Sequence, residues 1–181
     1  MPHLPENGGN LIWMIQTLGH QVLAFITTFI VIGVIWINHH ALFHLLRRVD
    51  RTTLVLNLLL LLMSVAFIPF STALLGDNPH HTTALVFYGL CLGFTGTLYN
   101  ILWLYVMRQY IQAEGLMGVK AVRKATFWSI SFPLSYLASA ALATVSHTVA
   151  ICLYVLIPLY YLVPGVIDRH LGKLEQPSRH S

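Results

Sequence analysis

The stretch Val34–Arg48, VIWINHHALFHLLRR, brings Trp36, Asn38, His39, His40 and His44 together within nine positions and closes on Arg47 and Arg48. Imidazoles ligate metals and haem iron, relay protons, and hydrogen-bond across helices, so several chemistries are open to this cluster. His40 and His44 are four residues apart, the spacing at which two helical imidazoles share an ion. No Asp, Glu or Cys nearby completes such a set. Axial haem ligands must come from facing helices at similar depth, and His20 and His147 are the candidates for that pairing. His80 and His81 fall in a loop with the pattern of a solvated turn. The remaining option is a polar lock, with the amide and imidazoles bonding to a neighbouring helix.

What holds these residues is decided by composition. Of 181 residues, 56% are hydrophobic and 9% charged, with mean hydropathy +0.71. A water-facing surface needs about a quarter of residues charged, so lipid is the expected solvent. The net charge of +4 and pI near 9.3 come without a basic helix or aromatic–basic interleaving, so no nucleic-acid partner is expected. Cys91 and Cys152 both sit in apolar runs, the pattern of buried free thiols rather than a disulfide framework.

A hydrocarbon core about 30 Å thick takes roughly 20 apolar residues per helix. The expected fold class is all-α, a polytopic transmembrane helix bundle with five spans at about 11–46, 53–75, 84–107, 125–145 and 149–166. Residues 1–10 form an outer segment, 11–168 the transmembrane domain, and 169–181 a cytoplasmic tail. Short connections imply antiparallel neighbours. All ten Lys and Arg residues fall on one side of these spans, which makes that side, with the C-terminus, cytoplasmic. Five spans then leave the N-terminus outside, although MPHLPENGGN has no signal-peptide character. That arrangement calls for one more helix upstream of this sequence.

Within the spans, Asn38, His39, His40, Asn57, Ser64 and Asn100 each require a partner, because an unsatisfied polar group in hydrocarbon costs a few kcal/mol. Trp36, His40 and Phe43 share one helical stripe, while Asn38 and His39 point in other directions. Asp50 or Thr52 is placed to cap the second span. Pro69 and Pro158 each remove a backbone donor, and Gly89, Gly93 and Gly96 put small residues near one face of the third span. No phosphate loop or nucleophile–base set is recognisable, so an enzyme is not expected. The spans contain no carboxylate, which disfavours a proton-coupled transporter.

Trp36, Asn38, His39 and His40, followed by Asp50, Asn57, Pro69, Phe70, Ala73, Leu74 and Leu75, resemble two ordered motifs of the bacterial branch of the transmembrane protein 175 family, a group of potassium channels. The likeness extends less specifically to the C-terminus. It implies a six-helix subunit forming a homotetramer around a central potassium-permeable pore in the bacterial cytoplasmic membrane. In that family the first helix carries an Arg-x-x-x-Phe-Ser-Asp motif and the apolar pore constriction; no such motif occurs here. The five spans then match helices two to six, and either a late start site or a true truncation accounts for the difference. By the same resemblance, Trp36, Asn38, His39, His40 and Asn57 support the pore helix from behind rather than ligate ions. The partners expected are potassium ions, the lipid bilayer and other copies of the chain, with no cofactor and no bound metal. The competing reading is a non-conducting membrane scaffold or a haem-binding redox protein using the histidines.

Overall fold

A chain in hydrocarbon must satisfy its own backbone donors and acceptors, and runs of Leu, Ile, Val and Phe leave the helix as the way to do it. The computed structural model describes residues 11–44, 46, 48–111 and 119–162, and every regular element among them is helical. Helix α1 is Leu11–His44, and α2 is Arg51–Asp77. Helix α3, Thr82–Val106, runs into a wider π turn at Met107–Ile111. Helices α4 and α5 are Val119–Leu142 and His147–Tyr161. The expected outer segment 1–10 and tail 169–181 lie outside the described residues, as do the last four positions of the expected fifth span.

Three of the helices are long and apolar enough to cross a membrane, over Leu18–His44, Arg51–Asp77 and Thr82–Gln109. Helix α4 has the length, with 24 residues, but carries Lys120, Arg123 and Lys124 at its start and several serines beyond. Helix α5 is apolar and shorter, 15 residues. The architecture is a helical membrane bundle.

The helix ends follow from local chemistry. Asp50 caps α2, its carboxylate accepting from Thr53 N–H at 2.9 Å and from Thr53 Oγ1 at 2.6 Å. Ser146 stands at the same position before α5. In α2, Pro69 offers no N–H to the Val65 carbonyl and its ring crowds that oxygen. A π turn over Met63–Phe67 precedes it, and Ile68 N–H reaches back five residues to the Met63 carbonyl.

Helix α3 is the centre of the bundle. Its buried side chains run from Ala84 to Val106, and the other described helices pack around it. One apolar cluster lies toward the arginine-bearing end, around Leu42, Leu60, Leu102 and Trp103. A second, around Val31, Ile68, Leu85, Tyr136 and Tyr154, fills the opposite half. Large apolar side chains also cover the outside: Phe25, Phe29, Leu58 and Val65 are each more than half exposed. That outward-facing apolar surface is what lipid or a neighbouring subunit covers.

The α3–α4 contact depends on glycine. A methyl group at Gly89 would overlap Tyr154 Oη and stand 2.8 Å from Ala140 Cβ. At Gly93 it would meet Leu137 Cδ2 at 2.6 Å, and at Gly96 Phe132 Cδ1 at 2.9 Å. Each glycine therefore opens a notch that a side chain of α4 or α5 fills. Gly33 of α1 has open space around it. Gly93→Ala is expected to destabilise the bundle by about 1–3 kcal/mol through overpacking, whereas Gly33→Ala gains about 0.5–1 kcal/mol from helix propensity. Thermal unfolding of the two variants in lipid nanodiscs measures the opposite signs.

Candidate functional site

The polar residues around the end of α1 diverge from one another, because successive residues turn 100° about the axis. His39 faces α2. Its Nε2 lies 2.6 Å from Asn57 Oδ1, a link across 18 residues of sequence. A carbonyl-type oxygen has only lone pairs, so this bond requires the His39 proton on Nε2. The ring is held from its other side by Phe43, one turn on, with centroids 4.4 Å apart.

Asn38 faces inward instead. Its Nδ2 donates to the Val34 carbonyl at 2.8 Å, and its own backbone carbonyl accepts from Tyr99 Oη of α3 at 3.2 Å. Trp36 and His40 point away from both contacts. Their rings stack at 5.2 Å and 9° from parallel, and Trp36 is 61% exposed. His44 continues that outer stripe, its ring centroid 6.5 Å from that of His40. The residues expected to act as one network thus occupy three separate environments: an α1–α2 link, an α1–α3 link and an outward aromatic stack.

Asp50 ties two helices as well as capping one. Tyr105 of α3 donates to Asp50 Oδ2, so the start of α2 is held to the end of α3. At the opposite end, Gln21 Nε2 donates to Asp77 Oδ1 at 2.8 Å, joining the early part of α1 to the end of α2. These two bonds fix neighbouring helices as antiparallel.

A further polar centre lies deeper. Pro133 inside α4 has no N–H, which leaves the Ser129 carbonyl without its normal intrahelical donor. Asn100 of α3 supplies the missing hydrogen bond, Nδ2 donating to Ser129 O at 3.0 Å and to Gly96 O at 2.9 Å. The notch at Gly96 is what brings the amide this close. Sequence reasoning singled out Pro69 and Pro158 but passed over Pro133, and it left Asn100 without a partner. A mid-helix proline with an asparagine on another apolar segment was the available signal; the pairing itself requires the tertiary register. Tyr99 and Tyr105 were missed for the same reason.

The candidate ligand histidines go elsewhere. His147 Nε2 lies 2.7 Å from Thr82 Oγ1, and the His20 ring packs edge-on against His80 at 5.6 Å. Among the described residues, no three of His, Cys, Asp and Glu come together. The chemistry this arrangement supports is helix–helix fixation. It uses amides, hydroxyls and imidazoles along the helices, with carboxylates only at the ends of α2, Asp50 and Asp77.

Comparison with known proteins adds the family. A family model described as "Endosomal/lysosomal potassium channel TMEM175" matches residues 2–69. A potassium channel of Streptomyces collinus is 33% identical over 143 residues, covering 76% of this chain and 68% of that protein. A potassium channel of Chamaesiphon minutus is 36% identical over 117 residues, 62% of this chain and 55% of its own length. The endosomal/lysosomal proton channel TMEM175 of Danio rerio is 25% identical over 85 residues, 47% of this chain and 16% of that protein. No solved structure matches. With identity of that level spread over two thirds of a bacterial relative, on a helical membrane bundle, the chain belongs to the TMEM175 family.

Proposed function

We propose that this chain is a subunit of a potassium-permeable channel in the bacterial cytoplasmic membrane, assembled as a homotetramer around a central pore. The observation that carries the proposal is the 33% identity with the Streptomyces collinus potassium channel over 143 residues. The five-span topology, with the C-terminus in the cytoplasm, is part of it. Its support is the side on which the basic residues fall: Arg48, Arg51, Arg108, Lys120, Arg123 and Lys124 are all exposed and flank the same ends of the helices.

In this proposal the described helices brace the pore, and an apolar constriction belongs to a further helix N-terminal to this sequence. Gating at such a constriction works through packing and wetting rather than through ion ligands. Two features favour a bracing role. The polar side chains Asn57, Ser64, Thr72, Thr95 and Asn100 spend their hydrogen bonds within or between helices. The exposed Trp36–His40 stack, with exposed Phe29 two turns earlier on α1, presents an aromatic face on which another helix can seat. Trp36, Asn38, His39, His40 and Asn57 then set the position of the pore helix from behind.

Potassium efflux from proteoliposomes tests the reading. The 181-residue chain is expected to give no efflux above protein-free vesicles. The same chain preceded by the region encoded upstream is expected to conduct potassium. Efflux from the 181-residue chain alone would contradict the assignment of the pore.

The α1–α2 link makes a separate prediction. His39→Ala and Asn57→Ala each lose the same hydrogen bond, so their effects on unfolding should be non-additive by about 0.5–1.5 kcal/mol. Additive losses in a double-mutant cycle, read by thermal unfolding, would show that the two side chains do not act together.

A further inference from the structure

Three cations stand together near the start of α4, and nothing among the described residues neutralises them. Lys120, Arg123 and Lys124 fall within five positions, all exposed. A turn of 100° per residue places them on one face of the helix, spread over about 100°. Like charges at these spacings repel one another, and the first turn of α4 holds no acidic residue. None of the three enters an ion pair with another described residue. The described carboxylates are elsewhere: Asp50 is engaged by Thr53 and Tyr105, and Asp77 lies at the opposite end of the bundle with Gln21. Arg51, by contrast, adjoins Asp50 in sequence, and Arg108 stands at the end of α3, where the helix dipole favours a cation.

The same face continues into apolar side chains. Phe127, four residues beyond Arg123, is 79% exposed, and Leu134, two turns further on, is 58% exposed. Trp128, four residues beyond Lys124, is partly exposed and is held by the rings of Tyr160 and Tyr161 of α5, with centroids 5.0 and 5.3 Å away. Its indole N–H has no partner among the described residues. A rise of 1.5 Å per residue sets Trp128 about 6 Å deeper than Lys124, and Leu134 about 15 Å deeper. A protein or nucleic acid arriving through water would meet the cations and leave Phe127 and Leu134 uncovered. A phospholipid carries its groups in the order this face presents: phosphate, ester, acyl chain. Choline and ethanolamine headgroups bring a cation of their own, and three cations without a carboxylate do not accommodate it, so the matching headgroup is net negative.

We propose that this face of α4 binds one anionic phospholipid, from the leaflet at the basic end of the bundle. The phosphodiester lies on Lys120, Arg123 and Lys124, the Trp128 N–H meets the ester region, and an acyl chain runs along Phe127 and Leu134. Basic clusters at the point where a helix leaves the membrane concentrate anionic lipid, and tryptophan and tyrosine belong at headgroup level. The site is independent of the channel reading, since it requires only that α4 lie in a bilayer.

The test uses the full 181-residue chain in a neutral detergent, titrated with dioleoyl phosphatidylglycerol or dioleoyl phosphatidylcholine and read by native mass spectrometry. Phosphatidylglycerol is expected to fill one site per chain about tenfold more tightly than phosphatidylcholine. Arg123→Gln combined with Lys124→Gln should lower that affinity about tenfold, to the phosphatidylcholine level. Arg48→Gln combined with Arg51→Gln removes the same charge at the turn between α1 and α2, and should change it by less than about twofold. Arg123→Lys, which keeps the charge, should keep the affinity. Glycerophosphoglycerol, the headgroup without its chains, should not displace the bound lipid at equal concentration. Should the glutamine variants fail to fold, the lipid pair and the chain-free headgroup decide the matter. Equal affinity for the two lipids, equal losses from the two double substitutions, or displacement by the chain-free headgroup would each overturn the proposal. The second result would mean general charge attraction, and the third a site for free anions.

Discussion

A backbone carbonyl in hydrocarbon has to find a donor within the protein, and the bundle is organised around one that cannot find it on its own helix. Pro133 strips the Ser129 carbonyl of its partner, and Asn100 replaces that partner from α3. The repair works only if the two helices come close, and Gly93 and Gly96 provide that closeness. The same asparagine bonds back to Gly96, so one side chain joins the glycine notch, the proline and the helix crossing. In a soluble protein, water would satisfy the Ser129 carbonyl and the constraint would disappear. In lipid it fixes which face of α3 meets α4, and the remaining contacts of α3 with α1, α2 and α5 are arranged around that crossing.

The Asn100–Pro133 pairing was not legible in the amino-acid sequence, but the class of fold was. Low charge and long apolar runs identify a helical membrane bundle without reference to any contact. A cap for the second span was legible at Asp50 or Thr52, since an acceptor before an apolar run meets free amides, and the structure has Thr53 N–H donating to Asp50. The glycine row on the third span marks a real crossing. The polar stretch at the end of α1 was harder to read. Helical geometry alone separates Trp36 and His40 from His39, but which direction meets α2, which meets α3 and which faces outward depends on the rotation of α1 in the bundle. That rotation is set by Val31, Val34, Ile35 and Leu42, buried apolar residues that look in sequence like their exposed neighbours Phe29 and Ile37. The partners Asn57, Tyr99 and Tyr105 lie 18, 61 and 55 residues from the groups they bond, and local pattern carries no information about such pairings.

The motif shared with the TMEM175 family therefore has a physical content beyond a signature. Tryptophan, asparagine and histidine appear together because consecutive positions on one helix serve different neighbours. His39 joins α1 to α2, Asn38 joins it to α3, and the Trp36–His40 stack remains on the outside. The contacts are directional, which suits a rigid frame. A channel whose constriction is apolar needs such a frame more than it needs ligands along its helices, since small changes in helix position decide whether the constriction is wet.

The claim that these helices brace the pore without lining it is tested most directly by cysteine accessibility under current recording. Cys91 and Cys152 are first replaced in the potassium-conducting assembly, and single cysteines are then placed along α1 to α5, including Phe29, Trp36, Leu58 and Val65. The account predicts that a charged thiol reagent leaves the potassium current unchanged at each of these positions. Rapid, irreversible block at any of them, protected by potassium, would place that helix in the ion path and contradict it.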